Sequence, residues 1–124
     1  KGEQEGMKIG KKEAARIASA KSESVAIWIA GDVHAARQTC REWCDEVGGC
    51  VTVAPVDYIY TGGAEAGVRI GFINYPRFPA AEREIVARAT ELGQRLMLAL
   101  DQQSFSIEAP SETLWFSRRA GDTQ

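Results

Sequence analysis

Residues 25–30, VAIWIA, are apolar at six successive positions. A strand with one wet face alternates, so a short run that is apolar on both sides predicts a strand at the centre of a sheet. Gly31 ends the run. Asp32 then stands where a helix N-cap belongs, because its carboxylate can accept the free amides of the first turn. Val33, Ala36, Cys40, Trp43 or Cys44, and Val47 recur at helical spacing after it, opposite Arg37, Gln38, Arg41, Glu42 and Asp45. That is an amphipathic helix, and Gly48-Gly49 stop it.

Two strands are expected next. Cys50–Tyr60, CVTVAPVDYIY, has strong β propensity, and Pro55 within it points to an edge strand or a bulge. Thr61–Gly67, TGGAEAG, is read as a hairpin connector, and Val68–Tyr75 as the returning strand. Pro76-Arg77-Phe78-Pro79 forms a rigid turn, with Pro79 suited to the first position of a helix. A long helix is expected over about Ala80–Asp101, with Ile85, Ala89, Leu92, Leu96 and Ala99 as its buried stripe. Gly93 lies inside it at a cost of about 1 kcal/mol against Ala; close approach to the sheet is the expected compensation. Phe105 and Ile107 then mark a half-buried strand, and Thr113–Ser117 a last one.

The order is β-α-β-β-α-β with an added terminal strand. This is the split βαβ arrangement of ferredoxin-like folds, an α+β class. Right-handed crossovers place both main helices on one face of an antiparallel sheet. With the run CVTVAP after the first helix, this order resembles the small trimeric ferredoxin-like proteins of the divalent-cation-tolerance family; the resemblance implies a topology and no residue roles. The other face of the sheet needs a cover. The alternate set Thr52, Ala54, Val56, Tyr58 and Tyr60 suits such a contact, so a homo-oligomer is expected, a dimer above all.

The chain of 124 residues reads as one domain. Residues 22–119 form the α+β unit, 1–21 a basic N-terminal arm and 120–124 a polar tail. The arm carries six Lys or Arg against three Glu, while the rest carries nine basic and fourteen acidic residues. Within the arm, Lys11–Ala20 places Ala14, Ile17 and Ala18 on one face, which predicts a short helix. The acidic domain argues against nucleic acid as a partner, and VRIGFINY lacks the basic and aromatic signature of RNA-binding sheets. No apolar run approaches the ~18 residues of a membrane span. KGEQEGMKIGKK has no apolar core of the secretory kind, and three cysteines do not make a disulfide framework. A cytoplasmic protein is expected.

Each candidate chemistry meets an obstacle in the residues. Gly31-Asp32-Val33-His34 after a strand resembles the first metal motif of calcineurin-like phosphoesterases, but that family needs several more His and this chain has one. Asp32 is therefore expected as a cap. His34, Cys40, Cys44 and Cys50 are spaced H-x5-C-x3-C-x5-C, unlike the C-x2-C or C-x4-C knuckles of structural zinc. The cysteines are read as core residues, with no metal site and no cofactor. Cys40 and His34 are six residues apart on one helix and point apart. Gly62-Gly63 with Gly67 lacks the G-K-[ST] of a phosphate loop, and Asp57 and Glu65 are read as single carboxylates.

The stretch Asn74-Tyr75-Pro76-Arg77-Phe78-Pro79 carries aromatic and Arg side chains on a stiff support, as binding hot spots do. A binding surface of Tyr58, Tyr60, Asn74, Tyr75, Arg77 and Phe78 is expected. The leading reading is a non-catalytic oligomeric binding or regulatory module for a protein or small-molecule partner. The alternative is a small enzyme whose site lies at a subunit interface near Asp32, His34 and Arg77.

Overall fold

The computed structural model describes residues 14–122. Five strands form one sheet: β1 (Val25–Ala30), β2 (Thr52–Tyr60), β3 (Gly63–Phe72), β4 (Ser104–Glu108) and β5 (Thr113–Ser117). The helices are α1 (Val33–Val47) and α2 (Glu82–Ala99). The spatial order is β2-β3-β1-β4-β5, and every neighbouring pair is antiparallel. β1 is thus central, as six apolar positions require, and β2 with its Pro55 is an edge. The fold is the ferredoxin-like α+β arrangement with an added strand at the far edge.

Alternation sorts each strand into two faces. Val25, Ile27 and Ile29 of β1, Val68, Ile70 and Phe72 of β3, and Phe105 and Ile107 of β4 point one way and are buried. Ala36, Cys40 and Trp43 of α1 and Ile85, Ala89, Leu92 and Leu96 of α2 meet them in a single core. α1 packs on β3 and α2 on β1 and β4, side by side on the same face. Gly93 of α2 is accounted for here. A Cβ at that position would run into the Phe105 ring, so the glycine lets α2 approach β4. Phe105 in turn stacks on Phe116 of β5, centroids 4.7 Å apart and nearly parallel.

The local signals hold at the start of α1. Asp32 is extended, and its Oδ2 accepts the amide of Ala35 at 2.9 Å. Gly48 closes the helix by donating to the carbonyl of Cys44.

Ala99, expected in the buried stripe of α2, is exposed at its last turn, and four further expectations need correction. The described part of the short N-terminal helix, residues 14–20, is not helical, and residues 11–13 lie outside the described range. Ile17 is 97% exposed; a stretch this short does not hold helical form without a surface to pack on. The hairpin connector is only Thr61-Gly62, and Gly63–Gly67 belong to β3, because β2 carries its ladder through Tyr60↔Gly63. Pro79 precedes the helix rather than opening it: α2 begins at Glu82, and the Glu84 carboxylate accepts the Ala81 amide. Finally, Cys40 is buried but Cys44 is half-buried and Cys50 exposed, since the turn after Gly48 lifts Cys50 off the core.

Candidate functional site

The second face of the sheet carries no helix among the described residues. Its side chains follow from the register: Thr52, Ala54, Val56, Tyr58 and Tyr60 of β2; Glu65, Gly67, Arg69 and Gly71 of β3; Ala26, Trp28 and Ala30 of β1; Ser104, Ser106 and Glu108 of β4. Small residues make a low floor from which Trp28, Tyr58 and Arg69 rise. The ring of Tyr58 lies over Gly67, where a Cβ would meet the ring and come within 2.7 Å of the Ile29 carbonyl. Trp28 donates from Nε1 to Glu108 Oε1 at 2.9 Å. The guanidinium of Arg69 sits over the Trp28 ring, 5.7 Å from its centroid.

At the Ala30 end of this face is a hollow of about 330 Å³, walled by Trp28, Tyr58, Tyr60, Glu65, Asp101 and Gln103 among others. Its aromatic rings and the Glu65 carboxylate suit a cationic, partly aromatic ligand, because ring faces and carboxylates both attract positive charge; Asp101 is already paired with Arg118 at 3.4 Å, and Arg119 also lines the hollow. Partial burial and the nearby Glu65 carboxylate raise the Tyr58 pKa, so the phenol stays neutral and can donate.

A second cleft, about 490 Å³, opens between the end of α1 and the start of α2. Tyr75 and Phe78 line it with Trp43, Phe72 and Ile85. Asn74 also borders it, but its amide is committed to the fold: Nδ2 donates to the Lys21 carbonyl and Oδ1 accepts the Ala80 amide, each at 2.8 Å. The Tyr75 hydroxyl is 3.7 Å from the Cys50 thiol, a contact that raises the Tyr75 pKa.

The residues singled out from sequence therefore do not form one surface. Tyr58 and Tyr60 lie toward the hairpin tip, beyond the Ala30↔Gly67 pair. Asn74, Tyr75, Arg77 and Phe78 follow Phe72, which pairs with Val25 at the other end of the same ladder. Asp32 and His34, both exposed, follow Ala30, so Arg77 is again at the opposite end. Arg77 stacks on its neighbour Phe78 at 5.4 Å. His34, Cys40, Cys44 and Cys50 do not converge: among the described residues no three His, Cys, Asp or Glu side chains are placed to share a metal ion. Trp28, Arg69 and Glu108 were missed. An aromatic inside an otherwise aliphatic strand reads as core, and only the register shows that Trp28 faces away from it.

No family model matches the sequence, and no curated protein resembles it at a significant level. Solved structures do match. A phage SAM lyase in its apo state superposes with a TM-score of 0.69 at 14% identity, covering 88% of this chain and 100% of that one. A phage SAM lyase in complex with S-methyl-5'-thioadenosine gives a TM-score of 0.67 at 13% identity, covering 88% and 99%. The fold is shared.

These neighbours overturn the expectation of a non-catalytic binding or regulatory module, and with it the leaning against an enzyme. Over nearly its whole length the chain adopts a fold on which an enzyme is built. A second consequence of the elements is simpler: among the described residues no helix is long and apolar enough to cross a membrane.

Proposed function

We propose that this chain is an enzyme that cleaves S-adenosylmethionine and releases S-methyl-5'-thioadenosine, with the Trp28–Tyr58–Glu65 hollow as its site. The observation that carries the reading is the match of the whole fold to a SAM lyase, one copy of which holds that thioadenosine. The hollow adds chemical sense. A sulfonium is a cation without a proton to donate, so it is held by ring faces and carboxylates rather than by hydrogen bonds. Tyr58 and Glu65 supply both.

The bond that breaks joins the sulfonium to the Cγ of the amino-acid arm. A route that needs no co-reactant is attack on Cγ by an oxygen of the substrate's own carboxylate. The Cγ–S electron pair stays on sulfur, which leaves as a neutral thioether, and a five-membered lactone closes. Opposite charges vanish as the reaction proceeds, so a site that excludes water favours it over bulk solvent. The protein's part is to fold the arm back and shield it.

Shielding bears on assembly. β2 and β3 stay paired beyond the end of β1, through Asp57↔Ala66, Tyr58↔Glu65, Ile59↔Ala64 and Tyr60↔Gly63. This two-stranded arm exposes 82% of Ile59 and 53% of Tyr60, and such a ribbon is marginal without a surface to rest on. A second copy of the chain, laid on the arm and the open face, supplies that surface and closes the hollow. The site then lies between subunits of a homo-oligomer, a dimer being the simplest. Three free thiols suit a reducing cytoplasm.

The test is direct. Purified protein is incubated with S-adenosylmethionine and the products are separated by chromatography and mass spectrometry. S-methyl-5'-thioadenosine and homoserine lactone are expected in equal amounts. Intact substrate, or S-adenosylhomocysteine as the product, overturns the reading. Light scattering on a size-exclusion column checks the assembly; a monomer at micromolar concentration removes the second copy from the site.

A further inference from the structure

We infer that Cys44 and Cys50 are an oxidative modification site: a peroxide joins them in a disulfide that ties the end of α1 to the start of β2. The pair stands apart from the proposed SAM site, at the Thr52 end of β2 rather than the Tyr58 end. A hollow of about 360 Å³ lies where α1 meets the chain leading into β2. Cys40, Cys44 and Cys50 border it together with Arg37, Arg41 and Val53. All three thiols are free.

Local geometry selects the pair. Cys40 and Cys44 are one helical turn apart, which holds their Cβ atoms about 5–6 Å from each other. A disulfide needs about 3.5–4.5 Å, and a regular helix does not close that gap. Cys44 and Cys50 instead bracket the Gly48-Gly49 turn. Gly48 has a φ of 72°, which turns the chain back at the helix end. The Gly48 and Gly49 amides both donate to the Cys44 carbonyl, at 2.8 and 3.1 Å. On the other side of Cys50, the Val51 amide reaches the Cys44 sulfur. Residue 50 therefore lies between two contacts to residue 44. The thiols are near enough to sense each other: burial first, and then Cys50, raise the Cys44 pKa.

Exposure sets the order of events. Cys50 is exposed and Cys44 half-buried, so the oxidant meets Cys50 first. The Cys50 thiolate attacks one oxygen of hydrogen peroxide and the O–O bond breaks. The other oxygen leaves as hydroxide and regains the thiol's proton as water, and Cys50 becomes a sulfenic acid. The Cys44 sulfur then attacks the Cys50 sulfur and the S–O bond breaks. That oxygen leaves as a second water, taking the Cys44 proton. Two thiols have lost two electrons to one peroxide. The Tyr75 hydroxyl, 3.7 Å from the Cys50 sulfur, loses a thiol partner.

The test uses the full chain, reduced, freed of reductant and treated with equimolar hydrogen peroxide. Remaining thiols are alkylated in denaturant before digestion with trypsin. Cys40 falls in peptide 38–41, whereas Cys44 and Cys50 fall together in peptide 42–69. Peptide 42–69 is expected to be lighter by two hydrogens and unalkylated, with peptide 38–41 alkylated. Dithiothreitol should restore both alkylation sites of the longer peptide. The oxidised chain should melt about 5 °C or more above the reduced one, as a cross-link that restricts the unfolded chain does. Cys50→Ser should show neither change. Peptide 42–69 alkylated at both cysteines, a bridge to Cys40, a disulfide between two chains, or Cys50 carried to the sulfinic acid beside a free Cys44 overturns the pair. A bridge that leaves the melting temperature unchanged or lowers it overturns the tie between α1 and β2.

Discussion

Tyr58 and Gly67 sit on adjacent strands of the open face, and the phenol ring of the first occupies the space that a side chain at the second would fill. The ring is a wall of the proposed nucleoside hollow, so the glycine sets how close that wall stands to the sheet. Gly67→Ala places a methyl group against the ring and 2.7 Å from a carbonyl that cannot move away. A loss of about 1–3 kcal/mol in unfolding free energy is expected, the usual cost of overpacking. Turnover should fall further than stability explains. Urea melts and thioadenosine release, measured on the same preparation, separate the two effects.

Gly93→Ala tests a conflict between local and tertiary preference. On helix propensity alone the change adds about 1 kcal/mol of stability. The Cβ would enter the Phe105 ring, which is itself stacked on Phe116. The expected outcome is net destabilisation of about 1–3 kcal/mol. A rise in the urea midpoint would show that the β4–β5 edge yields easily.

Asn74→Ala removes two hydrogen bonds that tie residue 21 and residue 80 to the end of β3. Each is worth about 0.5–1.5 kcal/mol net, and Asn74 is 9% exposed, so the freed backbone groups are poorly hydrated. A destabilisation of about 2 kcal/mol or more is expected. Amide exchange should quicken at Ala80. Turnover of S-adenosylmethionine should persist at temperatures well below the melt, because the residue lies at the far end of the sheet from the hollow.

The Cys40 thiol gives the fold an alkaline limit. Burial, helped by the Cys44 thiol beside it, pushes its pKa from 9.0 up to about 11. The unfolded chain therefore ionises first as the pH rises. Stability from this group is complete below pH 9 and is lost as the pH climbs through about 11. Urea midpoints for wild type should drop over that interval. Cys40→Ala should start lower at pH 7, from the lost packing, and decline less steeply above pH 9.

Much of this architecture was legible because each signal was local. Six apolar positions in VAIWIA marked the central strand, Asp32 marked a helix start, and Pro55 marked an edge. Gly93 revealed a close helix–sheet contact before its partner was known. The candidate site was legible only in fragments. Tyr58 and Tyr60 were found on the correct face by alternation. Trp28 was not, because a strand with core residues on one side and Ala26, Trp28 and Ala30 on the other looks uniformly apolar in one dimension. Arg69 and Glu108 are 39 residues apart in sequence; they meet the same Trp28 indole only because β3 and β4 flank the same strand. The loop 74–79 reads as a binding surface from its prolines and aromatics, yet the Asn74 amide holds Lys21 and Ala80 to the end of β3.

Because core and site alternate along the same strands, the two sets of positions can be varied separately. Replacing Trp28, Tyr58, Arg69, Ser106 and Glu108 together leaves every inward side chain of β1, β3 and β4 in place. The open face can therefore be randomised as a library on a constant scaffold, with the melting temperature as the measure of how independent the two faces are.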